Sequence, residues 1–264
     1  MTGDKIYQLI KEEFEATFTR ELIPGILHNF ANPLNSIMGR SKLLQRRSDD
    51  IFRKLAENYP QAAAAMNADL EKMSAEIKAI NNESDIFYDS FRSLMNKFYS
   101  LEKKGESRIN LSQLLTDEMR FFNFYMDFKH EIKKTMQLSI DIPGFRGNTA
   151  ELSVAFWRLI RFAVGRAKKS SLQEFHIKTE YDDKYVRASI RDSGGALPSD
   201  EVEVLMGKVD SGVIDTTGST LDKEILLPLL IMKNYQAKII ISGEGSFNTI
   251  SIGFPLSGDK HNRQ

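Results

Sequence analysis

The sequence predicts an α+β protein in which an N-terminal antiparallel helical hairpin is followed by a sandwich of one mixed β-sheet with helices on one face. Two observations lead to this prediction. Apolar residues recur at helical spacing through the first hundred positions, with no glycine between Arg40 and Lys104. After that point, short alternating segments typical of strands are interspersed with amphipathic helical segments.

Composition limits the classes of partner. The chain has 264 residues, 41% of them hydrophobic, which is enough for two domains with separate cores. Lys and Arg number 36, as do Asp and Glu, so no overall positive charge is available to hold nucleic acid or an anionic membrane. Cysteine is absent, which excludes disulfides and thiolate metal sites. No run approaches the roughly 20 apolar residues of a membrane helix. We therefore expect a cytoplasmic protein that binds neither nucleic acid nor membrane.

Two long helices are predicted in the first hundred residues. Tyr59-Pro60 interrupts the helical pattern and predicts a turn, after which a second helix should run from about Gln61 to about Glu102. Pro24 and Pro33 lie in the first helix and are expected to bend it around His28. The apolar stripe of the first helix contains Leu22, Ile26, Phe30, Leu34, Ile37, Met38, Leu43 and Leu44.

A single hairpin of this kind leaves much apolar surface exposed, because its two helices share only one seam. Pairing two hairpins into a four-helix bundle would cover that surface, so we expect a homodimer. The alternative is that the hairpin packs on its own C-terminal domain. The hairpin domain is predicted to cover residues 1–104.

The second domain is predicted to cover residues 105–257, and residues 258–264 are predicted to form a disordered tail. Asn110 can cap the first helix of this domain. The predicted helices are 112–129, 149–169 and 223–235, and the predicted strands are 136–142, 175–179, 186–191, 238–242 and 249–254.

His28 is the leading candidate for chemistry. A lone histidine on a helix is more often a surface or core residue than a catalyst, but Asn32 follows one helical turn later, with Pro33 and Leu34 immediately after it. A neutral imidazole is a competent nucleophile near neutral pH. A phosphoryl group on its nitrogen can be passed to an aspartate. Such chemistry needs an exposed histidine on a rigid element, and a long helix in a bundle supplies one.

The segment from Leu27 to Leu44, LHNFANPLNSIMGRSKLL, resembles the histidine box of two-component histidine kinases. The helical hairpin around it resembles their dimerisation and phosphotransfer domain. The resemblance implies that His28 accepts the phosphoryl group and that Asn32 matches the position that orients water for dephosphorylating a partner. The family usually has an acidic residue directly after the histidine as a general base. Here that residue is Asn29, whose amide cannot take a proton at neutral pH.

The second half resembles the ATP-binding domain of the same family, with substitutions at positions that hold nucleotide. In Glu151 to Ala167, ELSVAFWRLIRFAVGRA, the two asparagine-box positions hold Arg158 and Phe162. The second of these normally coordinates magnesium, and a phenyl ring offers no oxygen ligand. We expect Phe162 to be a core residue.

Both glycine boxes are also altered. In Arg191 to Pro198, RDSGGALP, Asp192 matches the adenine-binding aspartate and Gly194 is retained, whereas Ala196 replaces the second glycine. The same residues also fit an ordinary turn at the end of a strand. In Thr217 to Glu224, TGSTLDKE, one glycine remains, and acidic Asp222 and Glu224 would repel a triphosphate at a helix N-terminus.

These substitutions favour a histidine phosphotransfer protein of a two-component phosphorelay, which carries phosphoryl on His28 to or from a receiver-domain aspartate without using ATP. On this interpretation Asp192 and Gly194 mark a vestigial ATP pocket, the chain has no metal site of its own, and magnesium comes with the partner receiver domain. Two alternatives stay open: an active sensor histidine kinase with divergent ATP boxes, and a non-catalytic dimeric scaffold or inhibitor that binds a receiver or a kinase. Whether the chain is a phosphotransferase enzyme therefore also stays open.

A basic helical turn follows His28 and contains Arg40, Lys42, Arg46 and Arg47. We expect a solvated face there. The alternative is a surface that meets the acidic pocket of a receiver domain, an association that salt should weaken.

Overall fold

A computed structural model of the protein describes residues 3–18, 62–102 and 105–256, together with positions 22, 26, 29–30, 32–33, 36–37, 39–40, 42–44, 46–47, 50–51 and 54. Contacts divide the chain into two compact units, one of Met1–Leu22 with Asn96–Gln264 and one of Ile23–Met95. No helix in the described ranges is long and apolar enough to cross a membrane.

The elements are numbered here in chain order. They are α1 (Gly3–Thr17), α2 (Ala62–Glu102), β1 (Ser107–Ile109), α3 (Leu111–Phe122), α4 (Met126–His130), β2 (Lys133–Gln137), β3 (Phe145–Gly147), α5 (Thr149–Lys169), β4 (Glu174–Tyr181), β5 (Tyr185–Asp192), α6 (Ser199–Ser211), a π-helical segment (Asp222–Leu226), α7 (Leu227–Asn234), β6 (Lys238–Glu244) and β7 (Phe247–Pro255).

The smaller unit contains the predicted helical hairpin. Every described residue between 26 and 54 is helical, and α2 supplies the opposite arm. Three contacts join the arms in antiparallel order: Phe30 with Phe87 at 5.2 Å between ring centroids, Arg40 Nη1 with Glu76 Oε2 at 3.0 Å, and Lys54 Nζ with Asp69 Oδ2 at 2.9 Å. The predicted turn at Tyr59-Pro60 lies outside the described residues, as does Pro24.

The larger unit is built on a five-stranded sheet with the order β2-β4-β5-β7-β6. Only β2 and β4 are parallel, and the other neighbours are antiparallel, so the predicted mixed sheet is confirmed. Alternate residues of the three central strands are buried on one face, among them Phe175, Val186, Ile190, Ile250 and Phe254. Helices α3, α5 and α7 contact the strands. The predicted α+β class is therefore confirmed.

Some elements differ from the prediction. The predicted helix 112–129 is divided into α3 and α4, and β2 lies at 133–137 instead of 136–142. Ile140, expected to be a strand residue, is 87% exposed. The sequence prediction lacks α6, β1 and β3. The two strands have three residues each, which is too short for an alternating pattern to stand out.

The N-terminal helix α1 belongs to the larger unit. Ile6, Ile10 and Phe14 recur every four residues and are at most 4% exposed, and α1 contacts α5 and α7. The Phe14 ring packs edge-on against Trp157 with centroids 5.0 Å apart. The contact units thus differ from the predicted boundary at residue 104, because α1 and the end of α2 group with the sheet.

Candidate functional site

The predicted phosphoacceptor, His28, lies outside the described residues. Its predicted companion Asn32 is helical and exposed, and the adjacent Pro33 is helical and buried. Asn29, at the position where the histidine-box resemblance expects an acid, is helical and half-buried. The pairing of His28 with Asn32 on one helical face stays a prediction.

Asp192 ends β5 and is fully buried. Its carboxylate accepts hydrogen bonds from Arg166 Nε at 3.1 Å, from the Gly194 amide at 2.9 Å and from Asn248 Nδ2 at 3.2 Å. Burial raises the pKa of Asp192, although the Asn248 hydrogen bond and the Arg166 charge act in the opposite direction. One backbone amide and two side chains of the chain thus hydrogen-bond this carboxylate.

Gly194 makes this arrangement possible. A Cβ at position 194 would lie 2.7 Å from Arg166 Cβ, so a larger residue would displace the arginine. The Arg166 guanidinium also donates to the Gly194 carbonyl oxygen at 3.0 Å and to that of Gly195. Asp192, Gly194, Arg166 and Asn248 are called the Asp192 cluster below. The cluster agrees with the alternative that this motif is a strand-ending turn, closed here by an arginine.

Sequence reasoning missed Arg166 and Asn248. Arg166 follows Phe162 by one helical turn on α5, and its guanidinium carbon lies 5.5 Å from the centre of the Phe162 ring. Phe162 is 8% exposed, as expected of a core residue. The i, i+4 spacing of Phe162 and Arg166 is the one sequence signal that could have placed an arginine beside the motif.

Arg158, at the first asparagine-box position, also binds within the chain. It donates from Nε to the Glu224 carbonyl oxygen and from Nη2 to the Lys223 carbonyl oxygen, both at 2.8 Å. These two carbonyls belong to the π-helical segment, where the wider turn alters the regular backbone pairing. Arg158 also forms an ion pair with Glu13 of α1. Arg158 therefore joins α1, α5 and the π-helical segment. It lies at the position where the asparagine box that this segment resembles has an amide.

In the segment that resembles the second glycine box, side chains hydrogen-bond to backbone amides of the same segment. Ser219 Oγ accepts from the Asp222 amide at 3.2 Å, and Asp222 Oδ2 accepts from the Ser219 amide at 2.8 Å. This reciprocal pair is a capping box at the start of the helix. A Cβ at Gly218 would lie 2.4 Å from Asp222 Oδ2, which explains the one glycine that remains.

Asp222 also pairs with Lys208 of α6, whose Nζ lies 2.8 Å from Asp222 Oδ2 and 3.2 Å from Asp215 Oδ2. Burial raises the pKa of Asp222, but the hydrogen bonds from Lys208 and Ser219 outweigh it, so the pKa lies below its usual value. Arg158, Lys208, Ser219 and Asp222 are called the Asp222 cluster below. An ionised side chain of the protein thus occupies the end of the helix that attracts anions.

Neither of the other two histidines that the structure describes has the surroundings of a metal site. His130 ends α4, and His176 on β4 has Glu174 at 3.4 Å from its Nε2. Among the described residues, no group of three or more His, Cys, Asp or Glu side chains is placed to hold a metal ion.

Comparisons with known proteins gave matches among solved structures alone. No protein-family model matches the chain, and no curated protein matches it. The histidine kinase AdeS of Acinetobacter baumannii has 13% identity and a TM-score of 0.43, over 83% of this chain and 95% of that one. The catalytic domain of the histidine kinase ThkA has 16% identity and a TM-score of 0.45, over 58% of this chain and 98% of that one. Full-length ShkA, solved in complex with AMPPNP, has 15% identity and a TM-score of 0.44, over 70% of this chain and 39% of that one.

The first two of these structures are of histidine kinases, the family that the sequence motifs resemble. Identities of at most 16% and TM-scores below 0.5 support no conclusion about what this chain binds or does. The proposals below are therefore drawn from the residues of the chain.

Proposed function

We propose that the protein is a histidine phosphotransfer protein of a two-component phosphorelay, which exchanges phosphoryl between His28 and a receiver-domain aspartate without using ATP. The observation that carries this proposal is the Asp222 cluster. A triphosphate held at the helix N-terminus would have to displace the Asp222 carboxylate from the Ser219 amide and from Lys208, and it would meet a fixed negative charge there.

The Asp192 cluster, at the position that resembles the adenine-binding aspartate, supports the same proposal. An adenine amino group would compete with Arg166, Asn248 and the Gly194 amide for one buried carboxylate. Phe162 offers no ligand for magnesium. The residues present therefore do not fit a magnesium–ATP complex.

Phosphoryl transfer from a phospho-aspartate requires few catalytic groups around His28. The imidazole nitrogen attacks the phosphorus of a phospho-aspartate, the bond between phosphorus and the aspartate oxygen breaks, and the carboxylate leaves with the electron pair. Phospho-aspartate is already an activated donor, so positioning supplies most of the catalysis. A strong base at position 29 is not required. Magnesium would be held by the receiver domain.

The test uses two phosphoryl donors. Wild-type protein and the His28→Ala variant are incubated with magnesium and γ-labelled ATP, and separately with a panel of phosphorylated receiver domains. We expect label on the wild type from a receiver, no label from ATP, and no label on His28→Ala from either donor. Label from ATP on His28 would establish a kinase, whereas receiver binding with no transfer from any receiver would establish a scaffold.

A second variant distinguishes a phosphotransfer protein from an ATP-dependent kinase. Asp192→Asn should leave the rate of phosphoryl exchange within about twofold of wild type, while it lowers the free energy of unfolding by about 1–3 kcal/mol because the amide nitrogen that replaces one oxygen cannot accept a hydrogen bond and leaves a buried donor without its partner. An ATP-dependent kinase would instead lose activity with Asp192. The comparison is made on folded protein, as judged by circular dichroism.

A further inference from the structure

The two edge strands of the five-stranded sheet differ in composition. In the order β2-β4-β5-β7-β6, each of β2 and β6 has a neighbouring strand on one side only. β2 has the sequence KKTMQ, and all five of its residues are exposed. Lysines commonly protect an open edge, because a further strand would have to desolvate them. β6 has the sequence KIIISGE, so its centre is apolar and lacks this protection.

None of the three isoleucines at the centre of β6 is buried. Ile240 is 48% exposed, and Ile239 and Ile241 are half-buried. The cross-strand neighbours of Ile239 and Ile241 on β7 are Ile252 and Ile250, which are at most 1% exposed. The apolar cover of the sheet is therefore complete at β7 and incomplete at β6. A further strand beside β6 would cover more of this apolar surface.

The outer side of β6 also presents backbone groups that can pair with a strand. In the part of the chain that the structure describes, the backbone of residues 238–244 is paired with β7. In an antiparallel pair, alternate residues direct their N–H and C=O groups away from the neighbouring strand. A row of such groups on an edge strand is a template for another strand.

The two ends of β6 carry opposite charges. Lys238 begins the strand, Glu244 ends it, and both are exposed. Neither forms an ion pair among the described residues. Because side chains alternate between the faces of a strand, both charges lie on the same face as Ile240.

A second copy of β6 complements these charges in one register. Two copies that pair antiparallel around Ile241 give every residue of the strand a partner, because Ile241 is the middle of its seven residues. In this register Lys238 of each copy lies opposite Glu244 of the other copy, which gives two cross-strand ion pairs. A shift of two residues keeps the same faces together, but it separates the charges and leaves strand ends unpaired.

We propose that β6 is a self-association edge, through which two copies of this chain join their five-stranded sheets into one continuous sheet. This edge belongs to the larger unit, whereas the hairpin belongs to the smaller one. Seven residues from each copy are far fewer than the roughly 20–30 of a standard interface, so the dissociation constant should be on the order of 0.1 mM. The inference does not depend on phosphoryl transfer by His28.

The experiment measures the mass of the full chain by sedimentation equilibrium from about 10 µM to about 1 mM. Every protein carries Leu43→Glu and Ile77→Glu, so that association through the hairpin does not contribute. We expect this parent protein to dimerise as its concentration rises. Adding Lys238→Glu or Glu244→Lys should weaken dimerisation at least about tenfold, because each change places like charges opposite each other at both ends of the strand pair.

An equimolar mixture of the Lys238→Glu and Glu244→Lys proteins provides the decisive comparison. In a mixed dimer both cross-strand pairs again have opposite charges, so the mixture should associate as strongly as the parent protein. Combining both changes in one chain should restore dimerisation for the same reason. A general effect of either substitution on folding would not be reversed by mixing.

The matched control is Lys133→Glu, which makes the same change of charge at an exposed lysine of the other edge strand. It should change the dissociation constant less than twofold. The proposal is overturned by a parent protein that stays monomeric up to about 1 mM, by equal weakening in Lys133→Glu, or by a mixture that associates no better than its components. If the parent stays monomeric and β6 binds an alternating valine–threonine peptide, the edge pairs with another protein instead.

Discussion

At the scale of single residues, a buried charge network in the larger unit joins α2, α3 and α5. Lys97 Nζ donates to both oxygens of Glu118 at 2.7 Å and to Ser153 Oγ at 2.8 Å, and Ser153 Oγ donates to Glu118 at 2.6 Å. Both charged side chains are at most 3% exposed. Burial raises the pKa of Glu118 and lowers that of Lys97. The cost of removing both charges from water offsets most of their attraction, so the pair as a whole adds little net stability, whereas removal of one partner is costly.

The network predicts unequal effects of single and double substitutions. Lys97→Met leaves the Glu118 carboxylate buried without its counter-charge and should lower the free energy of unfolding by about 3–5 kcal/mol. Combining Lys97→Met with Glu118→Leu removes both charges and should recover most of that loss. Urea unfolding of the three proteins measures the difference. Equal destabilisation of the single and the double variant would contradict this account.

Among the structural elements, α1 is held by its buried face. Phe14 is fully buried, and its ring contacts those of Trp157 and Phe121 with centroids 5.0 and 5.7 Å away. Leu9, on the same helix, is 42% exposed. The difference between these two positions gives a matched comparison within one helix.

Phe14→Ala should lower the free energy of unfolding by about 3–5 kcal/mol, because a large buried ring is replaced by a cavity. Leu9→Ala should change it by less than about 1 kcal/mol, since the side chain is mostly in water already. Denaturant titration measures both values. A larger effect at Leu9 than at Phe14 would show that α1 packs against the larger unit through the face that carries Leu9.

The turn between β4 and β5 should make the stability of the larger unit depend on pH in the acidic range. Asp182 Oδ1 accepts from the amides of Lys184 and Tyr185, both at 2.8 Å, and Oδ2 pairs with Arg187. The backbone hydrogen bond from Lys184, then Arg187 and then the Tyr185 amide lower the pKa of Asp182 from 3.8 to about 2. A carboxyl whose pKa is lower in the folded state stabilises the fold above its unfolded pKa.

This stabilisation should disappear as the pH falls from about 4 to about 2. In Asp182→Asn the side-chain oxygen can still accept from the two amides, but the titrating charge is lost. Thermal melts from pH 5 to pH 2 should therefore show a wild-type advantage that shrinks with falling pH. An advantage that is constant, or that grows, over this range would contradict the assignment.

At the scale of the whole molecule, three large apolar side chains in the described part of the hairpin are exposed. Leu43 is 42% exposed, Ile77 40% and Ile86 54%. These side chains lie on both arms, as expected if a second hairpin completes a four-helix bundle. They agree with the homodimer that the sequence predicts, whose formation stays a prediction.

Light scattering coupled to size-exclusion chromatography should give the mass of a dimer for wild type. Leu43→Glu combined with Ile77→Glu should give a monomer, because charges would be buried in the interface. Leu9→Glu, at an equally exposed leucine of the larger unit, should remain dimeric. A monomeric wild type, or a monomeric Leu9→Glu variant, would exclude a dimer through the hairpin.

The local pattern of the sequence was sufficient to predict most helices and strands. The predicted helices at 61–102 and 149–169 agree with α2 and α5 within one residue, because their apolar positions repeat along many turns. The Asp192 cluster could be predicted only in part. Asp192 and Gly194 are adjacent in a turn motif, whereas Arg166 and Asn248 are 26 and 56 residues from Asp192.

The sequence by itself determined the α+β class, the helical hairpin, the motif around His28 and the residue types that differ from the nucleotide-binding motifs which the second half resembles. These are local properties of spacing and side-chain chemistry. Only the tertiary structure decided that Arg166 closes the Asp192 turn, that Asp222 caps its own helix and that α1 packs on α5 and α7. A buried charge takes its partner from whichever element the fold brings next to it, and that choice is not encoded at any fixed spacing along the chain.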